Sequence, residues 1–363
     1  MPFILLLSLI LCVSCMSLPE PAVQFTADTL PNPDPEAPDD LTLPPGFDAL
    51  PVSSFGETWG YLISGQEENL NPGYPLTDIG YFGAEVDSYG RLVDVPDPRK
   101  IDFFPGRIHL VVACNSRGLT HFVIEHGSRA RKQLVADLLE AVKPFDGLQI
   151  DFELVPRNDG EAFREFLREL RDGLGGKVLS AALPARTHEL ENDVYDYRKL
   201  LPLADRILVM AYDEHWSTSE PGPIASLNWC RSVAAYAMKT LGPDKLIMGL
   251  PFYGRTWGDM NPNRAFFHSG IERIKRENNV DVVKRQDDIP SFTYKVPVTI
   301  TVFYEDEYSL SARLNMYQTM GVRSVGFWAL GQETPLVWEL LHLDAQKAVQ
   351  PAAPLSAQTA PSR

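Results

Sequence analysis

Eight short apolar runs, separated by segments with helical periodicity, constrain this chain more than any other feature of its sequence. The expected strands are Thr58–Ile63, Asp78–Phe82, Arg107–Cys114, Gly147–Glu153, Lys177–Leu183, Arg206–Tyr212, Lys245–Pro251 and Ser324–Ala329. Most are rich in Val, Ile and Leu along their whole length, as strands of a parallel sheet buried on both faces require. Between them, Arg129–Val142 spaces Leu134, Leu138 and Leu139 on one helical face. Gly160–Leu174 does the same with Phe163, Phe166, Leu167 and Leu170, and Ser226–Leu241 and Ser309–Met320 have the same character. Strand–helix alternation on this scale predicts an α/β fold, a (β/α)8 TIM barrel. No long helix is expected between the first two strands. The stretch 254–304 is too long for a plain loop and contains strand-like Ser291–Val296 and Thr299–Tyr304. It predicts a small α+β insertion between strand 7 and strand 8.

The barrel is expected over residues 51–345, with distinct flanks. The apolar run Phe3–Leu11 is too short to span a bilayer, which takes roughly 18 such residues, and is similar to the core of a secretory signal. Cys12-Val13-Ser14-Cys15 follows and resembles a bacterial lipoprotein box, so residues 1–15 are expected to be a signal peptide that leaves Cys15 lipidated. A plain cleaved signal, or an uncleaved one serving as anchor, is the other reading. Residues 16–50 hold eight prolines, seven acids and no Lys or Arg. They are expected to form an extended acidic linker reaching on the order of 100 Å at about 3.1 Å per residue. Residues 346–363 are expected to be a loose tail. The expected location is the bacterial cell envelope, periplasmic or on the outer face, with membrane contact only through the lipid.

A net charge of −15 argues against nucleic acid as a partner, because phosphate binding needs a basic surface. With 44% hydrophobic and 22% charged residues the chain is globular, and it is expected to be a monomer. Four cysteines without ligand-type spacing give no zinc site; no metal or cofactor is expected. Cys114 and Cys230 are expected to be buried thiols.

Chemistry concentrates in the fourth run. Side chains alternate along a strand, so Gln149, Asp151 and Glu153 are expected to share one face, with Leu148, Ile150 and Phe152 on the other. Two acids at a strand end are costly to bury without use, and they make sense lining a pocket where protons move. Barrel chemistry sits at the C-terminal strand ends. Glu153 ends strand 4, Tyr212 and Asp213 end strand 6, and Trp328 ends strand 8, so all are expected on one rim.

Four motifs, in order and at barrel spacing, resemble glycoside hydrolase family 18, the chitinase-like hydrolases. They are Asp146–Glu153, Met210-Ala211-Tyr212-Asp213, Pro251-Phe252-Tyr253-Gly254-Arg255, and the approach to strand 8 through Tyr304-Glu305-Asp306 and Gly326-Phe327-Trp328. The likeness runs from about Thr58 to Leu343. It departs from the family's common pattern at Gln149, where Asp is usual. The bacterial branch acting on spore cortex or cell wall, which often carries Asn at that place, is the most similar in look. An amide at 149 is expected to be able to donate a hydrogen bond to Asp151.

The resemblance implies a retaining, substrate-assisted cleavage of β-1,4-linked N-acetylglucosamine glycans, in peptidoglycan or chito-oligosaccharides. It implies that Glu153 is the acid and later the base, that Asp151 holds the acetamide N–H, and that Tyr212 fixes the acetamide. Asp213 would hold the sugar and Trp328 would floor its subsite. Tyr61, Gln149, Met210 and Arg255 are placed among the sugar-binding residues. Plainer roles stand beside these. Glu153 could be a salt-bridge partner, Tyr212 packing and Trp328 core. Arg255 could pair with a pocket acid or only brace the insertion, and His215-Trp216 could be a sugar platform or a surface loop. Asp146, of opposite parity, is expected to hold a turn. The competing functions are a sugar-binding protein without catalysis and a wall-associated lipoprotein whose barrel docks protein. Retention of both Asp151 and Glu153 favours the enzyme.

Overall fold

The structure, a computed structural model, describes residues 43–258, 265–295 and 299–348. Eight parallel strands form a closed ring: β1 (Glu57–Ile63), β2 (Asp78–Val86), β3 (Arg107–Ala113), β4 (Gly147–Asp151), β5 (Val178–Pro184), β6 (Arg206–Met210), β7 (Leu246–Pro251) and β8 (Ser324–Trp328). Each pairs with its sequence neighbours, and β1 pairs with both β2 and β8, which closes the barrel. Helices α1 (Arg117–Ile124), α2 (Arg129–Ala141), α3 (Gly160–Gly173), α4 (Tyr197–Leu200) and α5 (Leu227–Leu241) follow β3 to β6 around the outside. The fold is therefore the expected (β/α)8 barrel. Only a three-residue 3-10 turn, Glu67–Asn69, lies between β1 and β2.

After β7 comes the expected insertion. Its five-stranded antiparallel sheet includes Gly254–Gly258 beside Thr299–Phe303, which pairs in turn with Ile289–Lys295. Helix α6 (His268–Glu277) covers it, and Ile271, Ile274, Phe292, Val302 and Tyr304 form a small core of their own. Helix α7 (Glu307–Thr319) returns the chain to β8. Its start is fixed by a capping box in which Asp306 accepts from the Ser309 N–H and Ser309 Oγ accepts from the Asp306 N–H.

The flanks differ from expectation at their inner edges. Within residues 43–50, assigned to the linker, Phe47 is buried with Leu336 and Leu340, while Leu43 stays exposed. Apolar side chains at the linker's end outweigh its proline content there. Residues 346 and 347, assigned to the tail, belong to a 3-10 turn, Ala345–Lys347, whose Lys347 donates to the Ser54 carbonyl. The expected signal, Cys15, most of the linker and the rest of the tail lie outside the described residues. Among the described residues no helix is long and apolar enough to cross a membrane.

Strand parity divides the core in two. Leu148, Ile150 and Phe152 face outward into the layer between strands and helices, where Phe152 stacks on Phe166 at 5.6 Å. Trp59, Tyr61, Val111, Ala182, Leu208 and Ile247 face inward and fill the lumen. Below them, at the N-terminal strand ends, lies a floor of paired charge. Glu57 binds Arg107 at 2.5 Å and Arg206 at 2.9 Å, and Asp78 binds Arg107 and His109 at 2.7 Å each. Trp59 donates to Glu57 and stacks on His109 at 4.2 Å. Removing one member of a buried pair leaves an uncompensated charge. Glu57→Ala is therefore expected to lower the unfolding free energy by about 3–5 kcal/mol in chemical denaturation. A loss under about 1 kcal/mol would show that the floor does not hold the barrel together.

Candidate active site

The C-terminal strand ends open on a mouth where the expected residues meet. Asp151 is the last residue of β4 and is buried, at 9% exposure. The strand stops there. Glu153, expected to continue it, stands instead in the turn that follows, and its side chain reaches solvent at the mouth. Parity thus places Gln149 and Asp151 on the inner face but does not govern Glu153, because the chain leaves the sheet to enter the loop before α3. β6 likewise ends at Met210, so Tyr212 and Asp213 sit in the loop above it. Asp213 takes the left-handed backbone conformation, φ 57°, one that Asp tolerates better than most residues.

Two inward glycines make room for the tyrosine rings. A Cβ at Gly80 would fall 2.7 Å from the Tyr61 ring, and one at Gly249 would fall 3.0 Å from Tyr212. Trp328 ends β8 half-buried, tilted against Tyr61 at 5.8 Å and edge-on to Phe82 at 5.1 Å. Met210 lines the same lumen.

Gln149 does not donate to Asp151. Tyr61 donates to its amide oxygen at 2.7 Å, and its amide nitrogen donates to Ser180 Oγ at 3.1 Å. The expected amide–carboxyl bond is corrected accordingly. An amide engaged by β1 and β5 has turned sideways across the lumen, and Asp151 Oδ1 is left buried without a hydrogen-bond partner. The Asp151 carboxyl is pushed well above the usual range by burial first and by the charge of Glu153 second. Glu153 is raised by desolvation, then by the charge of Asp213. Tyr212 is likewise raised well above its ordinary value by burial, then by Asp151. Both carboxyls, Asp151 and Glu153, therefore hold a proton more tightly than an exposed acid does.

Asp213 is held firmly. Arg255 grips it with two bonds, 2.9 and 2.8 Å, and Tyr253 donates to it at 2.5 Å. Of the two roles expected for Arg255, the structure shows the pairing with a pocket acid, made from the first strand of the insertion. The motif Pro251–Arg255 contains Tyr253 but gives it no role, and no motif points to Ser180 or Phe82. Inward parity on β5 and β2 is the signal that identifies the last two. Trp216 is exposed, and the nearby Trp257 Nε1 donates to its carbonyl at 3.2 Å. Asp146 lies at the opposite end of β4, accepting from the Ile108 N–H at 2.8 Å. Cys114 and Cys230 are buried. Among the described residues no cluster of His, Cys, Asp or Glu has the arrangement to hold a metal ion.

A parallel barrel whose mouth carries two adjacent acids, a tyrosine and a tryptophan has the groups that cleavage of a sugar bond requires. Residues 118–333 match the family model "Glycosyl hydrolases family 18", and the chain belongs to that family. Its relatives include the uncharacterized glycosylase YvbX of Bacillus subtilis, 28% identical over 226 residues covering 59% of this chain and 66% of that one. The cortical fragment-lytic enzyme of Bacillus anthracis is 26% identical over 292 residues, 73% of this chain and 67% of that one. The match thus spans about two thirds of those relatives' length. The solved structure of the Bacillus cereus spore cortex-lytic enzyme SleL shares the fold, with TM-score 0.72 at 23% identity over 82% of this chain and 76% of that one.

The raised Asp151 has a consequence for stability. The folded chain holds this proton more tightly than the unfolded chain does. The penalty is therefore absent below the ordinary Asp value of about 3.9, grows as pH rises toward the folded-state value, and stays constant above it. Asp151→Asn is expected to be more stable than wild type by about 1–3 kcal/mol at pH 7, the order of an unsatisfied buried polar group. The gain should shrink as thermal melts are repeated toward pH 4. A variant less stable at pH 7 would contradict this placement of charge.

Proposed function

We propose that the protein hydrolyses β-1,4-linked N-acetylglucosamine-containing glycans by a retaining, substrate-assisted route. The observation that carries the proposal is geometric: Asp151 is buried at the end of β4 with Oδ1 unpartnered, and Glu153, two residues on, opens to an aromatic-lined mouth; both carboxyls have raised proton affinity. Glu153 protonates the glycosidic oxygen as the bond to C1 breaks. The sugar's own acetamido oxygen attacks C1 and gives an oxazolinium ion. Asp151, whose Oδ1 has no protein partner, takes the acetamide N–H and steadies the positive charge. Tyr212 orients the acetamide for attack from the face opposite the leaving oxygen. The Glu153 carboxylate then removes a proton from water, which adds at C1 and restores the N-acetyl group. Family 18 is a known exception to the two-carboxylate scheme in this respect. Trp328 stacks on the sugar ring. Asp213 acts through its charge on Glu153, since Arg255 and Tyr253 already engage its oxygens.

Peptidoglycan is the favoured glycan. Support comes from relatives and structural neighbours named as cortical fragment-lytic and spore cortex-lytic enzymes. The signal-like N-terminus fits this substrate, with export and a lipid on Cys15 placing the barrel at the envelope on its acidic leash. Cys15→Ser is expected to move the protein from the membrane fraction to the soluble one; unchanged partitioning would remove the anchor.

Incubation with purified peptidoglycan and with chitin oligomers, read by mass spectrometry, tests the activity. Glu153→Gln is expected to abolish product release while leaving glycan binding nearly intact. Asp151→Asn should slow turnover by about 10² or more on general acid–base magnitudes. A thiazoline analogue of the oxazoline should inhibit. Binding without hydrolysis by the wild type would instead establish a sugar-binding protein.

A further inference from the structure

The turn that carries Glu153 is tied down by a side chain from a different loop. Tyr195, between β5 and α4, donates its hydroxyl hydrogen to the Phe152 carbonyl at 2.7 Å. The same hydroxyl accepts from the Val155 N–H at 2.9 Å. One oxygen therefore bridges the two sides of the turn, with Glu153 and Leu154 between them. Tyr195 is itself fixed. Its ring is buried edge-on against Phe163 of α3 at 6.2 Å, and its backbone N–H bonds Asp193 at 3.1 Å. Arg186 holds Asp193 with two bonds, 2.7 and 3.1 Å, and its guanidinium lies 6.0 Å from the Tyr195 ring centre. The path runs from Arg186 through Asp193 and Tyr195 to the backbone on both sides of Glu153.

We propose that Tyr195 is a positioning residue for Glu153, setting where the acid's carboxyl stands over the mouth without touching substrate. The proposal rests on the glycosidase reading and deepens it. A turn beyond a strand end lacks the sheet's ladder bonds, so its geometry must be fixed by other means. A displacement of about 1 Å in a reacting group costs about 10²-fold in rate. The burial of Tyr195 and the nearby charges of Glu153 and Asp151 raise its hydroxyl's proton affinity, so it stays a donor across the working pH range.

Tyr195→Phe keeps the ring on Phe163 and removes only the bridging oxygen. On a fluorogenic N-acetylglucosamine oligomer, kcat is expected to fall about tenfold or more with KM changed by less than about twofold, as for an interaction that matters only in the transition state. The Glu153 carboxyl resonance, assigned by its loss in Glu153→Gln and titrated by carbon-13 NMR, should move to a different pKa. A folded Tyr195→Phe with kcat within about twofold of wild type and an unchanged Glu153 titration would overturn the proposal, leaving Tyr195 a packing residue. If Tyr195→Phe does not fold, Asp193→Asn loosens the same support with the hydroxyl in place. It should show the same split between kcat and KM, and unaltered kcat would again overturn the proposal. The titration needs no substrate. A wild type that hydrolyses nothing would therefore refute the glycosidase reading, while the NMR arm still decides the role of Tyr195.

Discussion

A closed ring of eight strands gives this chain one lumen to fill, and the placing of charge along that lumen governs the rest of the structure. At the floor, Glu57 and Asp78 are matched by Arg107 and Arg206, and His109 is hydrogen-bonded to Asp78. In the middle, Tyr61, Gln149 and Ser180 form a neutral hydrogen-bonded chain among apolar side chains. At the mouth, Asp151 faces the charge of Glu153, Glu153 faces that of Asp213, and the guanidinium of Arg255 is engaged by Asp213. Buried charge that is paired can stay ionised, and breaking the pair is costly; charge left unpaired is where protons can be moved.

Gln149 separates these regimes. A carboxyl at this height would add a third acid to the column. The amide cannot, and its bonds to β1 and β5 hold it away from Asp151. The proton affinity of Asp151 is then set by burial and by Glu153 alone. The insertion contributes from the other side of the mouth. Arg255 lies on its first strand and pairs with Asp213, which acts on Glu153 through space. A segment outside the barrel thereby tunes the acid inside it.

The barrel was legible because the apolar runs and the helical stripes are local patterns. Phe163, Phe166, Leu167 and Leu170 mark α3 as plainly in the sequence as in the fold. Helix α1 escaped because only three of its eight residues are buried, too short a stripe to stand out. Helix α6 escaped because it sits in the insertion, away from the barrel's strand–helix rhythm, and buries only Ile271 and Ile274. Asp151, Glu153, Tyr212, Asp213 and Trp328 could be assigned to one rim from strand ends and motifs. What they bond to could not. Gln149 meets Tyr61 from 88 residues away, Asp213 meets Arg255 from 42, and Tyr195 reaches Phe152 from 43. Such pairings depend on register and on where strands stop. The end of β4 at Asp151 is itself a tertiary outcome.

The central claim is that the sugar's acetamide performs the attack over the Asp151–Glu153 pair. The stereochemistry of the first-formed product tests it most directly. Proton NMR of a chito-oligosaccharide digest, recorded before mutarotation, should show the new reducing end as the β anomer, the retained configuration. Initial formation of the α anomer would mean direct displacement by water, and would contradict the account.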